Sequence, residues 1–336
     1  MLHRPLPSPS ALPSDCWSPF HARLHQLLQQ RSLLPARSRL LLAVSGGQDS
    51  LALVHLLRGL KPHWHWSLAI AHCDHGWRTD SAANAEHLRQ LANQWHLPFY
   101  CQRSPDLPSS EATARTWRYQ TLAAIAAEIE APLLVTGHTA SDRAETLLYN
   151  LTRGSHLQGL ASLRWQRSLS DRLNLVRPLL AFTRAETAQM VQQFQLPVWE
   201  DSTNSDRRFA RNRLRLEVFP QLRQINAQCD RHLANTADLL ADEADWLAEL
   251  TEQAYSQALS HDGLRRSVLA QQPIALQRRV LHAFLQDHLQ RSPTLAQVEE
   301  LRQLITAPQG SCSSSLPQRQ VMKVMGDWLT LQSTDD

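Results

Sequence analysis

Residues 40–50 read LLLAVSGGQDS, so a run of five apolar residues passes directly into a turn with two glycines and then into a helical pattern. A strand, a glycine turn and a helix start together expose several backbone N–H groups and the positive end of a helix dipole to one anion. An ordinary tight turn would explain the glycines, but it would not explain Ser45, Asp49 and Ser50 around them. The pattern therefore predicts a phosphate-binding loop.

This loop lacks the lysine on which P-loop nucleoside triphosphatases depend. Their pattern GxxxxGK[ST] places a lysine against the β- and γ-phosphates, and residues 45–50 contain none. The sequence therefore argues against hydrolysis of a γ-phosphate.

Around the loop, short apolar runs alternate with helical patterns four times, which predicts an α/β fold with an open parallel sheet and helices on both faces. After about residue 154 the pattern becomes irregular, with one short strand at 173–176 and a helix at 184–194, and we expect the sheet to end there. The predicted strands are 40–44, 67–71, 99–102 and 133–136, and the helices that follow them are 49–60, 80–95, 111–129 and 141–150.

The chain from residue 214 onward is mainly helical by its apolar spacing, and it ends in a predicted hairpin whose turn is Gly326-Asp327. We therefore expect three segments: an N-terminal extension with a short helix (1–35), the α/β domain (36–218) and a smaller, mainly helical C-terminal domain (219–336). The predicted helices of this last part are 235–258, 274–289 and 295–305.

Composition limits the class of protein. With 336 residues and 43% hydrophobic residues the chain can bury a large core. No apolar run approaches the roughly 18 residues of a membrane-spanning helix, so no membrane association is expected. Five scattered cysteines without a CxxC pair favour reduced thiols and a cytoplasmic location. The proline-rich first 20 residues lack the apolar core of a secretory signal, but they leave an organellar transit peptide open.

Two other predicted strands end in polar residues. The sequence HCDHGWR (72–78) follows the second strand, and GHT (137–139) follows the fourth. Ligands of open parallel sheets bind outside the carboxyl ends of the strands, so His72, Asp74, His75 and His138 are expected to open onto the same crevice as the phosphate loop. A single histidine there would more often be structural.

Two helices carry charged stripes on one face. The first contains Glu111, Arg115 and Arg118, and the second contains Asp142 and Glu145 in the turns directly after His138. Solvated salt-bridged faces, or carboxylates that stabilise a helix N-terminus, are the alternative explanations. The position of Asp142 and Glu145 next to the crevice favours a role in the site.

The segment 207–215 contains five arginines, together with Phe209 and Asn212. Arginine suits phosphate contacts and an aromatic ring suits base stacking, so the segment is typical of RNA contact. A charged surface is the alternative.

Taken in order, these segments resemble the tRNA(Ile)-lysidine synthetase family over roughly residues 40–226. The segment SGGQDS is similar to the PP-loop (SGGxDS) of the N-type ATP pyrophosphatases, and the further motifs resemble HxDHGxR, EExAR..RY, TGH..D..ET, RGS, RPLL and ED.(S/T)N…RN..R. The first two motifs are matched by His72, Asp74, His75, Gly76 and Arg78, and by Glu111, Ala114, Arg115, Arg118 and Tyr119. TGH..D..ET is matched by Thr136, Gly137, His138, Asp142, Glu145 and Thr146, RGS by Arg153, Gly154 and Ser155, and RPLL by residues 177–180. The last motif is matched by Glu200, Asp201, Asn204, Arg211, Asn212 and Arg215. Thr139 and Arg143 depart from the family pattern, which commonly has histidine and glutamine there.

The resemblance implies a ligase reaction. ATP, with Mg²⁺, adenylates the carbon-2 oxygen of the wobble cytidine in a CAU-anticodon tRNA(Ile), and free L-lysine then displaces AMP to give lysidine. It also implies a homodimer. The implied catalytic residues are Asp49, Arg115, His138, Asp142 and Glu145, with Asp49 as the Mg²⁺ ligand; the ATP-binding residues are Ser45, Gly46, Gly47, Gln48, Asp49, Ser50, His72, Asp74, His75 and Gly137; the tRNA-binding residues are Arg118, Arg208, Arg211, Asn212 and Arg215.

Two rival functions remain open on sequence alone. A PP-loop tRNA thiolase would use cysteines, and Cys73 and Cys101 lie near predicted strand ends. A protein that binds tRNA without catalysis would release no pyrophosphate.

Overall fold

A computed structural model of the chain describes residues 17–76, 80–106, 110–199, 207, 210–289 and 292–333. The chain divides into two compact units between Ala241 and Asp242. This division falls within one long helix, Cys229–Ala258.

The first unit contains a six-stranded sheet in the order β3-β2-β1-β4-β6-β5. All neighbouring strands are parallel except β5, which runs antiparallel to β6. This arrangement confirms the predicted α/β fold with a mostly parallel sheet. The strands are β1 Arg39–Ala43, β2 Ser67–Asp74, β3 Phe99–Arg103, β4 Leu133–Thr136, β5 Gln166–Ser170 and β6 Leu173–Val176.

Helices cover both faces of this sheet. Leu40 and Leu42 of β1 belong to one buried cluster and Leu41 belongs to another on the opposite face, because successive side chains of a strand alternate sides. A strand buried on both sides is a continuous apolar run, as residues 40–44 are. The helices are α1 Pro19–Gln30, α2 Gln48–Trp64, α3 Ser81–Gln94, α4 Glu111–Glu128, α5 Ala140–Thr152, α6 Leu157–Leu160, α7 Arg184–Gln193, α8 Ala210–Arg213, α9 Phe219–Ile225 and α10 Cys229–Ala258, with a 3-10 turn at Pro178–Ala181 and a π-helical segment at Leu214–Val218.

The short strand predicted at 173–176 is present as β6, and the sheet is one strand larger than expected because β5 extends it. The chain returns as a hairpin, in which β6 pairs in parallel with β4 and β5 pairs with β6 on its other side. The side chains of β5 are mostly exposed, so this strand has no apolar alternation from which it could be predicted.

The second unit combines helices with a four-stranded antiparallel sheet in the order β7-β8-β10-β9. The predicted hairpin at Gly326-Asp327 is present as β9 and β10, and the short strands β7 and β8 extend it into a sheet within a unit that is otherwise mainly helical, as expected. Among the described residues, no helix is long and apolar enough to cross a membrane. The elements are β7 Leu259–Ser260, β8 Gly263–Arg265, α11 Arg266–Ala270, α12 Ile274–Leu289, α13 Leu295–Leu304, a 3-10 turn Pro317–Arg319, β9 Gln320–Met325 and β10 Trp328–Ser333.

Candidate active site

A cavity of about 490 Å³ opens at the carboxyl ends of β1, β2 and β4, where ligands of such sheets bind. Most residues that the sequence analysis selected from strand ends line it. They are Ser45, Gly47, Gln48, Asp49, Ser50, His72, Asp74, His75, Arg118, Gly137, His138 and Asp142.

The glycine loop, residues 45–50, is held by two neighbouring elements. Gly46 has a φ of +91°, and a Cβ there would lie 2.5 Å from Asn84 Oδ1, so only glycine fits. The amide of Asn84 donates to the carbonyl of Ser45 at 3.0 Å, and the backbone N–H of Trp199 donates to the carbonyl of Gly46 at 3.0 Å. The loop backbone is thus fixed before any ligand binds.

Helix α2 begins at Gln48, within this loop, and no side chain caps it. The hydroxyl of Ser50 turns back to donate to the carbonyl of Gly47 at 2.8 Å. A helix N-terminus that its own side chains leave uncapped presents its backbone N–H groups to an anion. The strand, glycine turn and helix start expected from the sequence are therefore present.

Gly137 brings the end of β4 against the start of α2. A Cβ at Gly137 would lie 2.9 Å from the backbone oxygen of Asp49 and 3.2 Å from Cα of Ser50. The absence of a side chain thus allows two strand ends to share one site.

Asp49 is a partly buried carboxylate in the first turn of α2, with its side chain 16% exposed. Its Oδ1 accepts a hydrogen bond from the hydroxyl of Thr187, and its Oδ2 lies 3.5 Å from Nη1 of Arg184. Burial raises the pKa of Asp49, and the nearby charge of Asp142 raises it further, while Arg184 and Thr187 counteract the shift. Because burial and a like charge disfavour the ionised carboxylate, a cation beside it is stabilising.

The histidines after β2 have structural partners as well as positions at the cavity. The ring of His72 donates from Nδ1 to the carbonyl of Val44 at 2.8 Å, which ties β2 to the glycine loop. His75 accepts from the guanidinium of Arg118, with Nη2 at 2.8 Å. Burial, assisted by Arg118, lowers the pKa of His75 to about 4, so it is neutral at pH 7.

His138 and Asp142 line the cavity from the end of β4 and from helix α5. Burial lowers the pKa of His138 to about 4, and its Nδ1 lies 2.9 Å from the hydroxyl oxygen of Thr136. Asp142 Oδ2 accepts from the backbone N–H and the hydroxyl of Thr139, each at 2.8 Å, as half of a capping box. Burial works to raise the pKa of Asp142, but His138, Thr139 and Arg215 outweigh it and lower that pKa. At neutral pH the pair is a neutral imidazole beside a carboxylate.

Glu145 lies behind Asp142 on helix α5 and does not line the cavity. Its side chain is nearly inaccessible, and both of its oxygens accept from one guanidinium: Arg215 Nε and Nη2 each lie at 2.7 Å. Arg215 Nη2 also lies 3.3 Å from Asp142 Oδ1. Arg215 is therefore an internal partner of both carboxylates rather than an exposed cation.

Two further predicted tRNA contacts, Arg211 and Asn212, belong to helix α8. Arg211 and Asn212 are partly exposed in that helix and do not line the cavity. Arg115 lies outside the cavity lining as well, with its guanidinium 5.4 Å from the ring centre of Tyr119. Arg208, like Arg78 and the segment 200–206, lies outside the described residues.

Sequence reasoning missed three site residues. Asn84 lines the cavity from α3, and Arg184 and Thr187 reach Asp49 from α7. Thr183 begins α7 with a capping box, which predicts where the helix starts, but nothing in the sequence places that helix against the loop.

Comparisons with known proteins agree with this geometry. A family model described as a PP-loop domain matches residues 17–222, and one described as a TilS substrate binding domain matches residues 264–325. A protein named tRNA(Ile)-lysidine synthase from Synechococcus sp. is 86% identical and covers 96% of this chain and 99% of its own length. Another of the same name from Nostoc sp. is 46% identical and covers 94% and 98%.

A solved structure shares the fold over about two thirds of the chain at low sequence identity. It is described as the U34-tRNA thiolase NcsA from Methanococcus maripaludis with its [4Fe-4S] cluster, and it matches with a TM-score of 0.57 and 13% identity over 66% of this chain and 79% of that chain. At this identity the match concerns the fold alone.

Proposed function

The chain belongs to the tRNA(Ile)-lysidine synthase family, and we propose in detail that it adenylates the wobble cytidine of a CAU-anticodon tRNA(Ile) and then joins free L-lysine to carbon 2 of that base. The product, lysidine, changes codon reading from AUG to AUA, and AMP and diphosphate are released. The observation that carries the proposal is the cavity in which a phosphate-binding loop faces a neutral histidine and a carboxylate.

ATP binds with its β- and γ-phosphates at the glycine loop. The uncapped N-terminus of α2 receives their negative charge, with Ser45 and Ser50 as further donors. His72 ties the loop to β2 through the carbonyl of Val44, and we expect the α-phosphate to lie toward the open part of the cavity. The cytidine oxygen attacks that phosphorus, and diphosphate leaves from the loop.

Mg²⁺ fits this cavity through Asp49. The described residues contain no group of three or more histidine, cysteine or acidic side chains that could hold a metal by themselves. Mg²⁺ in nucleotide sites binds through one or two carboxylates and the substrate phosphates, so Asp49 and ATP together could supply its ligands. When bound there, Mg²⁺ would neutralise phosphate charge and would oppose the effect of burial, which raises the pKa of Asp49.

Lysine enters on the side of the cavity that Asp142 forms. An ε-ammonium pairs well with carboxylates, and Asp142 is ionised at neutral pH. The amine must lose a proton before it attacks carbon 2, and Asp142 with the neutral His138 supplies acceptors for that proton. No protein nucleophile is needed, since lysine itself attacks and AMP is the leaving group.

We assign tRNA contact in the first unit to Arg118, Arg208, Arg211 and Asn212. Arg118 is exposed at the mouth of the cavity, and α8 carries Arg211 beside the side that contains His138. Contacts of arginine with phosphates position a nucleic acid without reading its bases. A cytoplasmic location and a homodimer remain predictions of the family resemblance, and sedimentation of the purified protein would test the dimer.

The thiolase alternative is not favoured. Cys73 lines the cavity, but burial raises the pKa of its thiol to about 12, and a protonated thiol is a poor nucleophile and metal ligand. A chain with Cys73→Ala and Cys101→Ala retains full activity on the present proposal.

The decisive experiment incubates the purified protein with ATP, Mg²⁺, labelled lysine and unmodified CAU-anticodon tRNA(Ile), and uses a wobble-uridine variant of that tRNA as the control. We expect label only in the first tRNA, with one AMP released per lysine joined. Binding of tRNA without label or AMP would instead establish the non-catalytic alternative.

A further inference from the structure

The guanidinium of Arg215 bridges Asp142 and Glu145, two carboxylates whose charge also suits a substrate ammonium. We propose that Arg215 is a built-in competitor of lysine, which holds the amine site until the ε-ammonium replaces it and thereby makes the site selective for a cationic side chain. This inference rests on the proposed function, since it assumes that the two carboxylates bind the lysine substrate.

Asp142 and Glu145 cannot bind the guanidinium of Arg215 and a substrate ammonium at the same time. Both oxygens of Glu145 accept from Arg215 at 2.7 Å. Asp142 Oδ2 is taken by Thr139, and Asp142 Oδ1 lies 3.3 Å from Arg215. An ammonium placed in the same space would also face a like charge a few ångströms away. Lysine therefore reaches Glu145 only if Arg215 withdraws.

Exchange of one cation for another avoids the main penalty of breaking this ion pair. Glu145 is only 3% exposed, and removal of one partner from a buried pair leaves an uncompensated charge, which is strongly destabilising. An incoming ammonium restores that compensation. A neutral side chain of similar length does not, so it cannot displace Arg215. The site then discriminates against a neutral ligand, because displacement of Arg215 by that ligand would leave Glu145 buried without a cation.

The local backbone provides a way for Arg215 to move. It lies in a π-helical segment, Leu214–Val218, between helices α8 and α9. A π-helical turn contains one residue more than an α-helical turn and is common at functional sites. Conversion of the segment to α-helix would rotate Arg215 about the helix axis by roughly one residue, about 100°. Contacts of Arg211 with tRNA, on the turn before, would be the natural cause of such a change.

Lysine binding to the purified protein tests this directly. Titration calorimetry would compare the wild type with Arg215→Gln, with and without α,β-methylene-ATP. We expect Arg215→Gln to bind lysine at least tenfold more tightly and to lose part of its preference for lysine over norleucine. Unchanged or weaker lysine binding in this variant would overturn the inference and make Arg215 an ordinary substrate or structural residue.

Two further variants keep the test decisive. Arg215→Lys retains a cation for Glu145 and so protects folding, but it loses the bidentate geometry, so we expect lysine affinity between those of wild type and Arg215→Gln. An affinity equal to or below that of wild type would contradict the proposal.

Arg223→Gln is the matched control. Arg223 makes a similar bidentate pair with Asp230, in which both hydrogen bonds measure 2.8 Å, and neither residue lines the cavity. The Arg223→Gln variant should bind lysine with the affinity of the wild type. Failure of the proposed function would appear separately, as absent lysine incorporation by the wild type.

Discussion

The guanidinium of Arg143 donates to Asp238 Oδ1 at 3.0 Å and so joins helix α5, which carries Asp142 and Glu145, to helix α10. Arg143 is 2% exposed, and its Nε also donates to the carbonyl of Leu163. This ion pair explains a residue at which the chain departs from its family pattern. Thr139, the other departure, has a role too: it caps α5 together with Asp142.

We predict that Asp238→Asn lowers the free energy of unfolding by about 3 kcal/mol, because it leaves the buried charge of Arg143 without its partner. Urea unfolding followed by circular dichroism would measure the loss. The control is Glu130→Gln, which breaks the exposed ion pair with Arg39 and should change stability by less than about 1 kcal/mol. Equal effects of the two variants would contradict the assigned role of Asp238.

We predict opposite structural outcomes for the two glycines of the loop. Gly46→Ala forces a Cβ to 2.5 Å from Asn84 at a φ of +91°, whereas a Cβ on Gly47 meets only Ser45 Oγ at 3.5 Å. Gly46→Ala should therefore lower the melting temperature and abolish ATP binding, while Gly47→Ala should fold with nearly native stability. Thermal melts with and without ATP check both. A Gly46→Ala protein that melts like wild type and is still stabilised by ATP would show that the loop tolerates a side chain there.

Much of this site was predictable because carboxyl ends of parallel strands converge at one edge. The glycine loop, His72, His138 and Asp142 each follow a strand with a clear apolar pattern, so periodicity alone indicated a shared crevice. The resemblance to a family then supplied the chemistry, which no spacing of residues could specify.

The rest depends on packing between segments that are far apart in the chain. Arg215 meets Glu145 across 70 residues, and its charge suggested an RNA contact until the fold placed it against two carboxylates. Thr187 reaches Asp49 across 138 residues for the same reason. Strand β5 escaped prediction because its side chains are mostly exposed.

Acid should destabilise the first unit through two histidines packed between α1 and α2, the buried His21 and the partly buried His55. Burial lowers the pKa of His55 to about 4, assisted by His21 and Arg58, and burial also lowers the pKa of His21. Below about pH 6.5, the ordinary pKa of histidine, these two histidines bind protons in the unfolded chain but not in the folded one. Their contribution to the free energy of unfolding is therefore constant above that pH and is lost as the pH falls toward 4.

The measurement is the melting temperature between pH 8 and pH 5. We expect a decrease below pH 6.5 in the wild type and a smaller decrease in His55→Leu, which cannot be protonated. His232→Gln, at an exposed position of α10, serves as the control and should follow the wild type. If His55→Leu loses as much stability in acid as the wild type, other groups cause the effect.

Asp49 should be needed for the adenylation step rather than for tRNA binding. Asp49→Asn keeps the hydrogen bond from Thr187 but removes the charge that we assign to Mg²⁺. We expect the rate of pyrophosphate release to fall by two orders of magnitude or more, and the Kd for tRNA to change less than threefold, because the arginines assigned to tRNA contact are intact. Filter binding and a pyrophosphate assay over a range of Mg²⁺ concentrations separate the two effects.

Thr187→Val is the matched control. It removes the hydroxyl that donates to Asp49 and leaves the charge of Asp49 in place, so we expect a smaller loss of rate that high Mg²⁺ partly restores. If Asp49→Asn releases pyrophosphate at the normal rate and with the normal Mg²⁺ dependence, the metal ligand must be sought elsewhere, and Asp142, the other carboxylate whose charge acts on Asp49, is the first candidate.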